Sequence, residues 1–262
     1  MGGRDDPAVR GLPEDFGEPH HRHHAAVDEV AQDHARPHRR QLVHIAHQQQ
    51  TGIGWQGAEV IRFQKPDDIS VRSAAAWDDQ NLYLAWDVRD KTPWINGAEQ
   101  PENIYLSGDT VDFQLATDAQ ANPKRDKAAL GDLRLSIGNF KGAATAVLYR
   151  PVAKTKHPMT FSSGVVKEYK LDSVEVLKDV QLKITRRGDS YVVEAAVPLT
   201  SLGLKLSAAL SLRGDFGVTY GDAAGQRTRL RNYWNNQHTG IVDDAVFELT
   251  LEPKNWGELL FK

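Results

Sequence analysis

The chain predicts an all-β protein: an antiparallel, jelly-roll-like β-sandwich of about ten strands behind a disordered N-terminal arm. Three observations carry this. Apolar and polar residues alternate with period two in short runs from Gly54 onward, the signature of half-buried strands. Turn formers such as Asp78-Asp79-Gln80-Asn81, Gly188-Asp189-Ser190 and Asp222-Ala223-Ala224-Gly225 separate those runs at hairpin spacing. Residues 1–50 hold eight of the ten histidines among Arg, Asp, Pro and Gln, with no lasting apolar period. Such a segment cannot bury enough surface to offset its ordering entropy. The expected organisation is an arm over 1–50 and one β domain over 51–262.

In chain order, Leu82, Leu84, Trp86 and Val88 share one strand face, with Tyr83, Ala85 and Asp87 on the other. Val111, Phe113 and Leu115 stand opposite Thr110, Asp112 and Gln114 in the same way. Further strands are predicted at 133–137, 144–149, 180–186, 191–197, 216–220, 228–234, 246–251 and 258–261, with one helical turn at 199–204.

Composition narrows the function. The 262 residues are 40% hydrophobic and 26% charged, the proportions of an ordinary globular chain. A net charge of −3, from 32 Lys and Arg against 35 acids, argues against nucleic acid as the main partner. Zero cysteine excludes a disulfide framework, a thiolate zinc site and a cysteine nucleophile. No apolar run has the length of a membrane span, and the start Met1-Gly2-Gly3-Arg4-Asp5-Asp6 does not read as a signal peptide. His20, His21, His23 and His24 would hold a divalent metal only if fixed in place; a floppy tract of this kind behaves like an affinity tag.

Catalytic signatures are absent: there is no GxSxG elbow, Walker loop, HExxH or dinucleotide fingerprint. Asp109 and Asp112 resemble a glycosidase carboxylate pair, but residues three apart on a strand point to opposite faces, so no catalytic residue is assigned. Glu194, in a run apolar on both sides, is expected to have a structural hydrogen-bond partner.

The aromatics are more informative. Trp86 is in phase with the core, and Trp77 ends a strand before an acidic turn. Trp94 lies in a loop, where it either packs on the sandwich edge or faces a ligand. Trp234 sits in Asn232-Tyr233-Trp234-Asn235-Asn236-Gln237-His238 among amides. Rings beside Asn, Gln and Arg suit a sugar, whose C–H faces stack on aromatics while its hydroxyls seek amide and charged partners.

Several short motifs are spread between residues 55 and 261. They are Ala76-Trp77-Asp78-Asp79-Gln80-Asn81-Leu82-Tyr83-Leu84, Val88-Arg89-Asp90, Gly108-Asp109-Thr110-Val111-Asp112-Phe113, Tyr191-Val192-Val193-Glu194-Ala195-Ala196-Val197, Gly225-Gln226-Arg227, Tyr233-Trp234-Asn235 and Trp256-Gly257-Glu258-Leu259. In order and spacing this set resembles the family 9 carbohydrate-binding modules, a group overlapping the DOMON-like superfamily. The resemblance implies a non-catalytic domain that binds a glycan or polysaccharide. Such domains are often attached to glycoside hydrolases, act outside the cytoplasm in extracellular or periplasmic space, clamp the terminal sugar between two tryptophans and use calcium in their loops. Trp234 falls at one clamp position. Leu106 occupies the other, with Tyr105 beside it, so Tyr105 or Trp94 would have to replace the missing ring. The opening Asp-Gly turn is also missing, leaving Gly54-Trp55. The expected sugar-binding set is Trp234, Tyr233, Tyr105, Trp94, Asn235, Asn236, Gln237, Arg231, Asp112 and Gln114. Asp90 and Asp109 match acidic positions of the family, either as loop calcium ligands or as turn caps. Two alternatives stand beside this reading. One is a b-type haem held by Met159 and His238, as in some DOMON-like domains; the other is an interaction scaffold that has lost sugar binding.

Overall fold

The computed structural model describes residues 41–47, 58–65, 69–162, 168–237 and 247–262. The chain divides into two units, 1–39 and 40–262. The first unit lies outside the described residues, and so do the His20–His24 tract, Trp55 and His238.

Six strands cover the first half of the fold: β1 (Leu42–His47), β2 (Ile61–Lys65), β3 (Ile69–Trp77), β4 (Asn81–Arg89), β5 (Thr110–Ala116) and β6 (Asp132–Phe140). Then come β7 (Ala143–Arg150), β8 (Met159–Ser162), β9 (Glu168–Leu171), β10 (Ser173–Leu177), β11 (Gln181–Arg187) and β12 (Ser190–Pro198). The short helix α1 (Leu199–Leu202) precedes β13 (Ser211–Gly221), β14 (Thr228–Tyr233) and β15 (Gly257–Phe261). Apart from the β8–β9 hairpin, these strands form one curled sheet ordered β10-β7-β6-β5-β13-β15-β1-β3-β4-β12-β11, with β14 on β13 and β2 on β3. The sheet folds at β1 into two layers. Phe216 of β13 meets Trp86 of β4 across the interior, ring centroids 5.8 Å apart. The architecture is therefore the predicted sandwich, with one departure from pure antiparallel pairing: β1 runs parallel to both β15 and β3.

That strand also corrects the predicted arm. Val43 and Ile45 are buried in the main core although composition placed them in a disordered stretch. Two apolar side chains give no period to detect, and β1 is stable only because β15 and β3 supply partners on both edges. Removing that packing is expected to be costly. Ile45→Ala should lose about 2–5 kcal/mol in urea unfolding; a loss within experimental error would show that β1 is dispensable to the fold.

β3 escapes the alternation rule because Ala74, Ala75 and Ala76 carry too little side chain to mark a face. The predicted strand at 246–251 is a second correction. In the described part, Phe247–Leu249 is a 3₁₀ turn and a second one follows at Pro253–Asn255. Pro253 offers no N–H to a ladder and restricts the residue before it. Leu249 and Leu251 are buried, but as covering residues rather than strand residues.

The first layer, β10-β7-β6-β5-β13 with β14 and β15, is covered on its outer face too. Ile104, Tyr105, Phe161, Leu171 and Leu249 pack there around Tyr149. All seven residues of β5 are buried in consequence. Thr110, Asp112 and Gln114 thus lie under a roof, where alternation predicted a solvated face.

Candidate functional site

The roofed face is polar where the pairing register aligns residues across four strands. Ser136 of β6, Asp112 of β5, Gly217 of β13 and Tyr233 of β14 form one row. The Tyr233 ring lies over Gly217, which has no Cβ to obstruct it. Its hydroxyl crosses β13 and donates to Asp112 Oδ2 at 2.8 Å. Arg134 grips the same carboxylate with two N–H groups, Nε at 3.2 Å and Nη2 at 2.9 Å, and Ser136 adds a hydroxyl donor. Asp112 therefore accepts four hydrogen bonds, about the full capacity of a carboxylate. Burial would raise its pKa, but Arg134 and these donors hold it below the usual carboxylate range. The same carboxylate holds the buried Arg134 guanidinium protonated against the opposing effect of desolvation.

The roof meets this floor through the Glu248 carbonyl, which accepts from Arg134 Nη1 at 2.6 Å and Arg231 Nη2 at 3.1 Å. Tyr105 lies 5.9 Å from the Arg134 guanidinium, within cation–π range. Tyr149 ties down the loop that carries Tyr105 by donating to the Glu102 carbonyl at 2.8 Å. One row along, Thr110, Thr219 and Arg231 are register partners on β5, β13 and β14. Here four buried polar atoms make no hydrogen bond among the described residues: Thr110 Oγ1, Thr219 Oγ1, Arg231 Nε and Glu248 Oε2. The last two are 4.0 Å apart, an ion-pair distance that closes no hydrogen bond. Burial raises the Glu248 carboxyl pKa against the pull of Arg231 and Arg134.

The predicted site residues divide between the two faces of this layer. Tyr105, Tyr233, Arg231, Asp112 and Gln114 meet on the roofed face, where Gln114 accepts from Trp256 Nε1 at 2.7 Å. Trp94 and Trp234 belong to the core between the layers. Trp94 packs on Tyr191 with ring centroids 4.4 Å apart, and the Trp234 ring covers Gly257. Exposures of 3% for Trp94, 1% for Tyr105, 0% for Tyr233 and 4% for Trp234 correct the expectation of an open stacking surface. Alternation supplies the reason: Tyr233 and Trp234 are neighbours, so they take opposite faces of a sheet buried on both.

The amides turn out to build structure. Backbone N–H groups of Asn235 and Asn236 cap Asp215 at 2.9 and 2.8 Å, while their side chains bind Asn255 and Glu252. The Gln237 side chain donates back to the Trp234 carbonyl at 2.9 Å. Glu194 pairs with Lys183 at 3.7 Å on an outward face. Leu106, at the missing clamp position, packs against the outer apolar cluster. The site residues that sequence reading missed are Arg134, Ser136, Thr110, Thr219 and Glu248. A signal for the first two existed: Asp132, Arg134 and Ser136 share one strand face opposite Thr110, Asp112 and Gln114.

Asp90 and Asp109 act as turn caps. Thr92 donates its N–H and hydroxyl to Asp90 Oδ1 at 2.8 and 2.7 Å. Asp109 accepts from the Gly221 N–H at 2.8 Å and the Ile95 N–H at 3.3 Å. The two carboxyls lie close together; burial pushes Asp109 up to about 7, with the Asp90 charge adding to it. Asp90 Oδ2 closes no regular hydrogen bond. That oxygen is a hard donor of the kind calcium takes; among the described residues no three acidic or histidine side chains gather. Met159 packs against the outer apolar cluster. Its expected haem partner, His238, is outside the described residues.

Fold and site together define a β-sandwich domain with a roofed, charge-lined face on one layer. No protein-family profile and no curated protein matches the sequence. Solved structures do match in shape. A family 9 carbohydrate-binding module from Caldicellulosiruptor kristjanssonii, solved with glucose, superposes with a TM-score of 0.54 at 14% identity, covering 85% of this chain and 96% of that one. A second structure of a family 9 module from the same organism, with cellotriose, gives 0.51 at 15% identity, over 85% and 94% of the two chains. A Bacteroides uniformis protein assigned to carbohydrate binding gives 0.51 at 10% identity, over 86% of this chain and all of that one. The chain has the fold of the family 9 carbohydrate-binding modules. No helix among the described residues is long and apolar enough to cross a membrane.

Proposed function

We propose that this protein is a non-catalytic carbohydrate-binding module that takes a sugar on the roofed polar face of its first layer. The observation that carries this reading is the cluster of buried polar atoms on Thr110, Thr219, Arg231 and Glu248 that close no hydrogen bond among the described residues. Buried polar groups without partners cost stability. Sugar hydroxyls, each a donor and an acceptor, would satisfy all four. Arg134, Arg231 and Asp112 form the floor, two guanidinium groups against one carboxylate, and Tyr105 and Tyr233 supply apolar walls. The atoms are sealed, so a sugar reaches them only when the roof carrying Tyr105 and Glu248 swings aside. Apparent affinity is then lowered by the fraction of molecules that are open.

Thr219→Val separates binding from folding. It removes an unpartnered hydroxyl at constant shape, so stability should hold or rise while affinity falls about tenfold, or about 1.4 kcal/mol. Calorimetry with glucose, cellotriose and xylo-oligosaccharides checks the affinity, and urea unfolding checks the stability. Equal affinity of variant and parent for every bound sugar would remove the roofed face from consideration.

The Asp90–Asp109 pair is proposed to hold calcium, which would neutralise two adjacent carboxylates and tie the 90–97 loop to the 107–109 turn. Calcium is expected to raise the melting temperature relative to chelator, and Asp90→Asn to abolish the difference. An identical melting curve with and without calcium would count against it.

A further inference from the structure

The outer face of the second layer carries a surplus of positive charge along its strands. The β2–β3 register places Arg62 directly opposite Arg72, and like charges in that position destabilise a sheet. Arg72 forms an ion pair with Asp87, its partner on β4. Beside them, Ser190 has Arg89 as register partner on one side and Arg187 on the other. Two adjoining depressions, about 390 and 280 Å³, share Arg72, Asp87 and Arg187. The floor of the larger one is low, because Ala74 and Ala85 face each other across β3 and β4. Five cations (Arg62, Arg72, Arg89, Lys183 and Arg187) line them against three acids, Asp87, Asp189 and Glu194. That is a local surplus of two positive charges on a chain whose net charge is −3.

We propose that this groove binds an acidic polysaccharide, a chain of uronate sugars lying across the strands. Guanidinium groups grip carboxylates in bidentate fashion. Five strands at about 4.8 Å spacing span roughly 19 Å, room for successive carboxylates to meet successive arginines. The low alanine floor admits a flat sugar ring. Single-stranded nucleic acid fits less well, because it needs exposed rings for base stacking. Among the described lining residues the one aromatic, Trp86, is wholly buried. This groove is on the opposite layer from the roofed face and does not depend on sugar binding there.

Calorimetry of the full chain at low ionic strength, with oligogalacturonate as probe, tests the proposal. A neutral cello-oligosaccharide and single-stranded DNA of matched charge serve as comparators. Oligogalacturonate should bind, and Arg62→Gln with Arg187→Gln should weaken it at least about tenfold. The melting temperature should hold or rise, because Arg62 stands opposite Arg72, and any binding of the neutral sugar should stay unchanged. No binding of oligogalacturonate, equal binding by the double variant, or equally tight binding of the DNA would each overturn it. Failure of the neutral sugar alone would count against the roofed face and leave the groove standing.

Discussion

Asp112→Asn should lower the stability of the protein by about 3–5 kcal/mol, the usual cost of removing one partner from a buried ion pair. Arg134 is wholly buried, and Asp112 is its charge partner at 2.9 Å. An asparagine supplies one acceptor oxygen for four donors and leaves the guanidinium charge uncompensated. The pair need not be a net source of stability, since apolar replacements of similar volume are often neutral or better. The double variant Asp112→Leu with Arg134→Met should accordingly recover most of the loss. Urea unfolding followed by tryptophan fluorescence measures both, with Asp112→Leu and Arg134→Met as the single variants of a double-mutant cycle. Single variants as stable as the parent would mean that the face is hydrated and the pair weak. The pH dependence has a definite sign. The folded pKa of Asp112 is depressed, so its contribution is complete above the ordinary carboxylate value and is lost as pH falls through the folded one. The Asp112→Asn variant should lack that part of acid destabilisation.

Gly217→Ala should be nearly as damaging although it adds one carbon. A Cβ there would come within 2.6 Å of Tyr233 Cζ, so the ring must move off β13 and its hydroxyl leaves Asp112. Overpacking of this kind costs about 1–3 kcal/mol, and the lost hydrogen bond to a charged acceptor about 1.5–3 kcal/mol more. Sugar binding should weaken with it, since Tyr233 walls the proposed site. In a Tyr233→Ser background the ring is gone, and Gly217→Ala should then cost much less. Additive losses in that background would show that the glycine is needed for another reason.

Part of this site is legible in the sequence alone. Asp112, Gln114, Tyr233, Arg231 and Tyr105 all carry chemistry suited to sugar, and all five reach one face. Period-two alternation around Val111, Phe113 and Leu115 placed Asp112 on the side away from the core. It could not tell whether that side was wet, because the cover comes from residues 104–106, 161, 171 and 249, remote in sequence. Trp94 and Trp234 misled for the same reason. A ring among polar neighbours looks exposed along the chain, yet Gly257 opens a slot for one and Tyr191 receives the other.

Local chemistry settled nine of the fifteen strands among the described residues, the main turn positions, the absence of cysteine chemistry and the family resemblance, because each depends on neighbours a few residues apart. The third dimension decided which faces are covered, that β1 joins the two layers, and which polar atoms are left without partners. Those properties depend on pairing between distant segments, and a period-two pattern states only that a face exists, never what lies against it.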